Sequence, residues 1–492
     1  MREAINKTLN ARDSRTKFLG VFSYRGNTRL RMVVLLLGAD IFSFLLSGFF
    51  AIGMRIFIFN EPLRFDLFLQ TLPIMAVSLF FYGLTGLYPA VGMSAVEEFK
   101  KLVSTTTFVV LALTAVSFWV RNANSFSRLT LTLTWLFSIV VLPVNRDLLR
   151  TIAVRLKVWG EPVAIIGFEK QGEWALEFFQ KNAKLGLNPV VILDPSGRES
   201  YSHRQVRVSK INALYPKEGV GNLTDVKTAL IMISDVPEKF MSMISSNQKG
   251  GWERLILLPN LEQISSFGVV SFDFGGVLGL EVRHNLLDMR QRAIKRIMDI
   301  LLSIALGIFF LPIGLMIALC IRLDSPGPVL YSQERLGKDA RKIIIYKFRS
   351  MKLNADNVLA EYLSKNPSAK TEWEQNQKLH NDPRITRVGK WIRRLSLDEI
   401  PQLFNILKGD MSLVGPRPIM LEQETMYGDH IEVYTNVRPG LSGFWQISGR
   451  NQTSFRQRVD FDAYYVRNWS IWLDVYIIAR TIMVVLLRQG AY

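Results

Sequence analysis

Apolar residues gather along this chain in long runs. Four come first: Met32 to Met54, Leu67 to Val91, Leu102 to Val120 and Leu129 to Asn145. Each is close to the roughly 20 residues a membrane-spanning helix needs. Arg12, Arg15, Lys17, Arg25, Arg29 and Arg31 precede the first run, and Arg146, Arg150, Arg155 and Lys157 follow the fourth. The loops assigned to the outer side hold only Arg55, Glu61, Arg64 and Asp66, then Arg121 and Arg128. Positive flanks at both ends predict four crossings over 32–150 after a basic cytosolic segment, 1–31. Four buried helices of a soluble bundle are the competing reading. No small-residue cleavage site follows the first run, so a retained anchor is expected.

From Glu161 to about Glu281 the pattern changes. Short β-branched stretches, Val163-Ala-Ile-Ile166, Val190-Val-Ile-Leu193 and Ala229-Leu-Ile-Met-Ile233, alternate with helix-like pieces such as Gly172 to Lys181. That alternation predicts an open parallel sheet in a Rossmann-like α/β domain over 160–281. Gly167-Phe-Glu-Lys-Gln-Gly172 lies where a dinucleotide fingerprint would be, but Glu169 replaces its middle glycine. A side chain and a negative charge there oppose a pyrophosphate, which favours a structural or regulatory domain over a nucleotide site.

A fifth run, Ile300 to Ile321, is uncharged and long enough to span. Arg283, Arg290, Arg292, Lys295 and Arg296 precede it, and Arg322, Arg335, Lys338, Arg341 and Lys342 follow. Positive charge on both sides predicts that both ends are cytosolic. Pro312, at its middle, removes a helix hydrogen bond, so a bend there would let a re-entrant helix over 297–321 enter and leave one leaflet. A kinked fifth span is the alternative. Near the end of the chain, Trp445, Trp469 and Trp472 with Tyr464, Tyr465 and Tyr476 suit a headgroup zone. Ile471 to Leu487, which contains Asp474 and Arg480, is expected to lie on the membrane surface as an amphipathic helix, with an ordinary core helix as the rival.

Composition narrows the partners. The 492 residues allow two or three domains, and Lys plus Arg outnumber Asp plus Glu by 60 to 42. Such a surplus suits anionic lipid, phosphorylated substrates or nucleic acid. The basic residues flank apolar runs and no reading motif accompanies them, which argues against nucleic acid. Cys320 is the only cysteine, so an internal disulfide and a thiolate metal site are excluded and a packing role is expected.

The chemistry concentrates after the fifth run. There the chain reads Asp324-Ser-Pro-Gly-Pro-Val329, Tyr346-Lys-Phe-Arg-Ser-Met351, Asn381-Asp-Pro-Arg384, Leu395-Ser-Leu-Asp-Glu-Ile-Pro-Gln-Leu403, Lys408-Gly-Asp-Met-Ser-Leu-Val-Gly-Pro-Arg-Pro418, Arg438-Pro-Gly440 and Ser448-Gly-Arg-Asn451. Gly and Pro turns fix loops, and Arg forks bind phosphate oxygens in pairs. Asp398 and Glu399 are the candidate reactive acids. They also fit a capping box, Ser396 with Glu399, although Pro401 would then remove a wanted backbone donor. A helix starting nearer Asp398 places that proline acceptably, and residue physics alone leaves both readings open.

Over Arg290 to Tyr492 these motifs resemble the monotopic phosphoglycosyl transferases, the bacterial sugar transferase family. Four amino-terminal spans and a Rossmann-like insert resemble its large form, nearest the members that transfer galactose 1-phosphate. The resemblance implies an α+β membrane protein with a mostly helical monotopic catalytic domain over 290–492 and Pro312 at the bend of its re-entrant helix. It implies Asp398 as nucleophile with Glu399 beside it, a Mg²⁺ associated with Asp398 and the donor diphosphate, and Lys347, Arg393, Arg417 and Arg450 as the phosphate-binding set. The implied reaction takes UDP-hexose, galactose or glucose, and undecaprenyl phosphate to undecaprenyl-diphosphate hexose and UMP. This is the first membrane step of O-antigen, capsule or exopolysaccharide synthesis. A multi-pass homodimer in the bacterial inner membrane, with its catalytic and Rossmann-like parts cytosolic, is also implied. An N-acetylated hexosamine donor, a non-catalytic nucleotide-sensing scaffold and an NAD-dependent sugar-modifying enzyme are the alternatives.

Overall fold

A computed structural model describes residues 28–60, 65–69, 71–119, 127–167, 169–194, 201–203, 206–210, 226–232, 253–258, 269–273, 278–282, 289–366, 370, 379, 382–449 and 453–486. The chain divides into two units, Met1–Leu261 and Glu262–Tyr492.

In the first unit the apolar runs are helices α1 (Thr28–Phe59), α2 (Phe65–Leu69), α3 (Leu72–Leu84), α4 (Ala95–Trp119) and α5 (Arg128–Arg155). α1 lies along α5, α5 packs on α4, and α4 packs on α3. Phe44, Ile74, Tyr82, Leu102, Leu131 and Leu142 fill the space between them. Phe49, Phe57, Phe80 and Leu111 point outward, an apolar exterior that water does not favour. The segments over α1, α2 with α3, α4 and α5 are long and apolar enough to cross a membrane.

The fourth run does not end at Asn145. α5 continues for ten more residues, and the two arginines expected to flank it are inside the bundle. Arg146 is 1% exposed. Its Nε donates to Asp40 Oδ1 at 2.8 Å and its Nη1 to Glu98 Oε1 at 2.8 Å. Arg150 Nη2 donates to the same Glu98 oxygen at 2.9 Å, and Tyr88 Oη donates to Asp40 at 2.6 Å. Two acids thus neutralise two bases, which is what makes burying all four tolerable. Arg146 and Arg150, read from sequence as flanking charges, are buried ion-pair partners within the bundle.

The α/β portion holds the expected largely parallel sheet, but the stretch from Val269 to Val282, read as part of it, forms a separate antiparallel hairpin. β1 (Glu161–Ile166), β2 (Leu187–Asp194), β3 (Tyr201–His203), β4 (Val206–Lys210), β5 (Thr228–Met232) and β6 (Arg254–Leu258) form one sheet in the order β3-β4-β2-β1-β5-β6. All pairings are parallel except β3 with β4. α6 (Glu169–Lys181) leaves the end of β1, and its Ala175, Leu176 and Phe179 pack with Val163, Ile165 and Ile192 of the sheet. Met32, Leu36, Ala90, Ala153 and Trp159 form one apolar cluster just ahead of β1, and Arg29 Nε donates to buried Glu161 of β1 at 2.5 Å.

The second unit opens with hairpin β7 (Val269–Asp273) and β8 (Leu278–Val282), then α7 (Met289–Asp324). α7 is continuous helix through Pro312, and its 36 residues span about 54 Å at 1.5 Å per residue. Cys320, expected to pack, is exposed on it. Lys295 and Arg296, expected as flanking charges, instead tie α7 to its own unit. Lys295 Nζ donates to Asp474 at 2.6 Å and to the Val414 carbonyl at 3.0 Å. Arg296 donates to the carbonyls of Ile406 and Leu407 at 2.6 and 2.8 Å, acceptors that a helix end leaves free.

Next come hairpin β9 (Leu330–Leu336) and β10 (Lys342–Phe348), then α8 (Ala355–Lys365), α9 (Arg387–Arg394) and α10 (Gln402–Lys408). Strands β11 (Ser412–Val414) and β12 (Gly440–Ser442) pair in parallel and bracket α11 (Ile431–Thr435). α12 (Phe444–Ser448), α13 (Phe455–Arg467) and α14 (Ile471–Leu486) close the unit. α14 buries one face in its own unit and leaves Ile482 exposed. Leu473, Asp474 and Ile477 are fully buried on that face, and Lys295 and Tyr465 satisfy the Asp474 carboxylate. Trp469 and Tyr465, expected in the headgroup zone, are buried with them.

Candidate active site

The site is built around one reversal of the chain between α9 and α10. Leu397–Glu399 is a single tight helical turn, and the α-helix proper begins at Gln402 with Pro401 at its cap, where a missing N–H costs nothing. Ser396 precedes the turn at φ +55°, a left-handed backbone that is uncommon for serine, and its hydroxyl makes no capping hydrogen bond. The capping-box reading of Ser396 and Glu399 therefore fails. Glu399 turns instead to cations, taking a hydrogen bond from Lys347 Nζ at 2.7 Å and facing Arg417 Nη2 at 3.7 Å.

Each of those groups is placed by a separate element. Lys347 sits on β10, whose backbone is held to α10 by fully buried Asn405: Oδ1 accepts from Tyr346 N at 3.0 Å, and Nδ2 donates to the Ile344 carbonyl at 2.6 Å. Arg393, in the last turn of α9, donates from Nε to Ser350 Oγ at 2.8 Å. Gly389 lets α9 lie against the Ser350 backbone, where a Cβ would come within 2.8 Å of the carbonyl carbon. Arg417 follows β11 in a loop pinned by Gly415 N to the Ser442 carbonyl at 2.9 Å and by Gly440 N to the Pro416 carbonyl at 2.8 Å. Below the turn, Leu397 and Ile400 pack with Ile317 and Ile321 of α7, Phe348 of β10 and Ile392 of α9. Burying such side chains stabilises by about 1.5–3 kcal/mol each, so the turn rests on a firm floor.

Asp398 differs from its neighbour. Among the described residues no ion pair to it is found, and it is partly buried. Burial, then the adjacent Glu399 charge, pushes its carboxyl above the usual carboxylate range, while Lys347 and Arg393 pull the other way. The pair with donor phosphate oxygens matches the set that Mg²⁺ takes, one or two carboxylates completed by substrate. The described residues bring no third acid or imidazole to it.

The structure thus unites Lys347, Arg393, Arg417, Asp398 and Glu399. Arg450 lies outside the described residues, and Pro312 is inside α7, beside Ile313, which packs in the apolar floor under the turn. Two other motif arginines have backbone duties: Arg349 grips the Ser325 and Pro326 carbonyls at 2.7 and 2.8 Å, and Arg438 holds the Gly409 carbonyl at 2.7 Å. Sequence reasoning missed Asn405, whose signal was a lone amide between Phe404 and Ile406. It also missed Arg335, Arg458 and Asp462, which gather near Arg417.

Residues 290–488 match the family described as bacterial sugar transferase, and residues 84–219 match one described as a CoA-binding domain. The chain is 32% identical to the undecaprenyl-phosphate galactose phosphotransferase of Salmonella typhimurium, over 92% of this chain and 96% of that one. It is 33% identical to the UDP-galactose-lipid carrier transferase of Erwinia amylovora, over 80% and 82%. A UDP-glucose:undecaprenyl-phosphate glucose-1-phosphate transferase of Escherichia coli is 30% identical over 83% and 86%.

Proposed function

Because the chain belongs to the bacterial sugar transferase family and is a phosphoglycosyl transferase, we propose that it moves hexose 1-phosphate, galactose or glucose, from a UDP-sugar to undecaprenyl phosphate. The transfer runs through a phosphosugar ester on Asp398. The observation that carries this reading is the contrast between adjacent acids: Glu399 is held by Lys347 and faces Arg417, while Asp398 has no such partner among the described residues. In the first step an Asp398 oxygen attacks the sugar-bearing phosphorus, the bond to the nucleotide phosphate breaks, and UMP leaves with the electron pair. In the second, an oxygen of the lipid phosphate attacks the same phosphorus and Asp398 departs as a carboxylate. Two steps let a soluble donor and a lipid acceptor use one site in turn.

The cations make the attack feasible. A carboxylate approaches a phosphoanhydride only where charge on the phosphate oxygens is neutralised as it redistributes. Lys347, Arg393 and Arg417 are placed to do this, and Arg450 belongs with them by motif. Asp398 and Glu399 would hold Mg²⁺ against the donor diphosphate, where the ion supplies further positive charge. The scaffold and NAD-dependent readings fall with membership of a transferase family.

The proposal places the site at the cytosolic face of the inner membrane. α7 supports this. Lys295 and Asp299, near its start, bind β11 and α14 residues, and Ile317 and Ile321, near its end, pack under the Asp398 turn. Leu301, Ile308, Leu311 and Leu315 between them are exposed. A helix with both ends on one domain and an apolar middle suits re-entry into a single leaflet. The deciding experiment gives radiolabelled UDP-hexose to the protein without lipid. UMP should be released and sugar label retained, up to one per site, and undecaprenyl phosphate should discharge it. A ternary kinetic pattern with no acceptor-free UMP would leave direct attack by the lipid phosphate. A panel of UDP-sugars, hexosamines included, identifies the donor.

A further inference from the structure

Arg417 takes part in a second grouping. Its guanidinium carbon lies 5.9 Å from the centre of the Trp445 ring, and Arg458, from α13, brings another to 5.0 Å from the same ring. Arg458 Nη2 also donates to the Arg417 carbonyl at 3.2 Å, so the two are mechanically linked. Arg335, near the end of β9, is the third. Burial, then the charges of Arg417 and Arg458, push its guanidinium below its usual range. Its Nη2 donates to Gln333 at 2.6 Å, whereas its buried Nε has no hydrogen-bond partner. The buried Nε of Arg458 has none either, although it lies 3.8 Å from Asp462.

The carboxylates nearby do not balance these cations. Asp462 takes the Tyr427 hydroxyl at 2.8 Å, and burial pushes its carboxyl up to about 6, so it supplies at most one negative charge here and loses it in mildly acid solution. Glu399 already serves Lys347. Counting both groupings among the described residues, Lys347, Arg335, Arg393, Arg417 and Arg458 face Asp398, Glu399 and Asp462, while Asp382, which also faces Arg393, is already paired with Arg384. Guanidinium N–H groups left without an acceptor, as the Nε groups of Arg335 and Arg458 are, and cations in excess of nearby acids are costly until an anion arrives. The transfer reaction involves such an anion besides the phosphate under attack: the nucleotide phosphate in the first step and the lipid phosphate in the second.

We propose that Arg335, Arg417 and Arg458, gathered about Trp445, form a second phosphate subsite that holds the phosphate monoester flanking the reacting phosphorus. Arg417 is shared with the Asp398 site and links the two. This rests on the reaction proposed above, so its test is equilibrium binding, which needs no turnover. Full-length protein in nanodiscs is titrated with UMP against uridine, and with farnesyl phosphate against farnesol. Arg335→Gln should narrow the phosphate advantage of one pair by roughly tenfold to a hundredfold, the loss expected of one charge-assisted hydrogen-bonding partner. Narrowing of the UMP–uridine gap assigns the subsite to the nucleotide, and of the farnesyl gap to the lipid. Arg335→Lys should recover only part, because a point charge lacks the fork. Arg458→Gln should act in the same direction, but its contact with Arg417 makes Arg335→Gln the deciding variant. Unchanged binding of both phosphates by an Arg335→Gln protein with wild-type melting temperature overturns the subsite. Wild-type protein that binds UMP but never releases it from UDP-hexose would overturn the reaction instead.

Discussion

Two clusters of acids and arginines in this protein use the same residue types to opposite ends. In the amino-terminal bundle, Asp40 and Glu98 meet Arg146 and Arg150, two against two, with all four buried. In the carboxy-terminal unit, Asp398 and Glu399 stand partly buried among Lys347, Arg393 and Arg417, and positive charge prevails. A balanced, dry cluster needs nothing from outside and fixes three helices against one another. An unbalanced, open one is completed only by a ligand, and its surplus sign names that ligand as an anion. Net charge within a cluster separates a clamp from a site better than the residue types do.

The hardest test of that contrast is Asp398→Asn. Transfer and acceptor-free UMP release should both fall by several orders of magnitude, as when a covalent nucleophile is removed. Melting temperature should barely change, since Asn fits the same short turn and no ion pair is lost. An active Asp398→Asn protein would return the lipid phosphate to the role of direct attacker.

Arg146→Met should do the reverse. It leaves Asp40 and Glu98 buried with too little positive charge, at a cost of about 3–5 kcal/mol. Yield and melting temperature in detergent should drop sharply, while activity per folded molecule is retained. A stable but inactive Arg146→Met protein would mean that the bundle cluster takes part in the chemistry and would dissolve the comparison.

Arg417→Ala comes next. Losing a forked phosphate contact should cost about 2–4 kcal/mol of transition-state stabilisation, read as a fall in kcat/KM. Arg417→Lys should rescue little. Near-normal rates would reassign Arg417 to the structural side of the contrast.

Periodicity made much of the fold legible. The apolar runs became helices, and Val163, Val191 and Ala229 fell on adjacent parallel strands as their β-branched neighbourhoods predicted. Motif resemblance made Lys347, Arg393, Arg417, Asp398 and Glu399 legible together. What escaped was pairing across long stretches of chain. Lys295 and Asp474 lie 179 positions apart, and Arg146 and Asp40 lie 106 apart. Read locally, each looks like a flanking or surface charge, because nothing in its own neighbourhood tells of the partner that lets it be buried. Ser396 misled differently: its spacing to Glu399 suits a cap, but a left-handed backbone turns the hydroxyl away from that job.

The smallest effect probes the carboxylate between the two classes. Asp462 is buried like Asp40, yet it stands beside the unbalanced arginines. Burial raises its carboxyl from the ordinary range to about 6, against the pull of Arg458, Tyr427 and Arg417. A carboxyl raised on folding binds its proton more tightly in the folded state. Its favourable contribution is therefore complete below the unfolded value near 4 and is lost as pH rises through about 6. At neutral pH the ionised group thus costs stability, at most about 3 kcal/mol for a shift of this size, a net effect that already includes the pull of Arg458. Asp462→Asn keeps an acceptor for the Tyr427 hydroxyl and removes the titration. Its melting temperature should exceed that of the wild type at pH 7.5, and the difference should shrink toward pH 5. A balanced clamp predicts the opposite sign: if Asp462 were to Arg458 what Asp40 is to Arg146, Asp462→Asn would be less stable than wild type, and most so at neutral pH, where the lost ion pair was complete. A melting series from pH 5 to 8 separates the two, and a uniform loss would move Asp462 and Arg458 out of the anion subsite and into the scaffold.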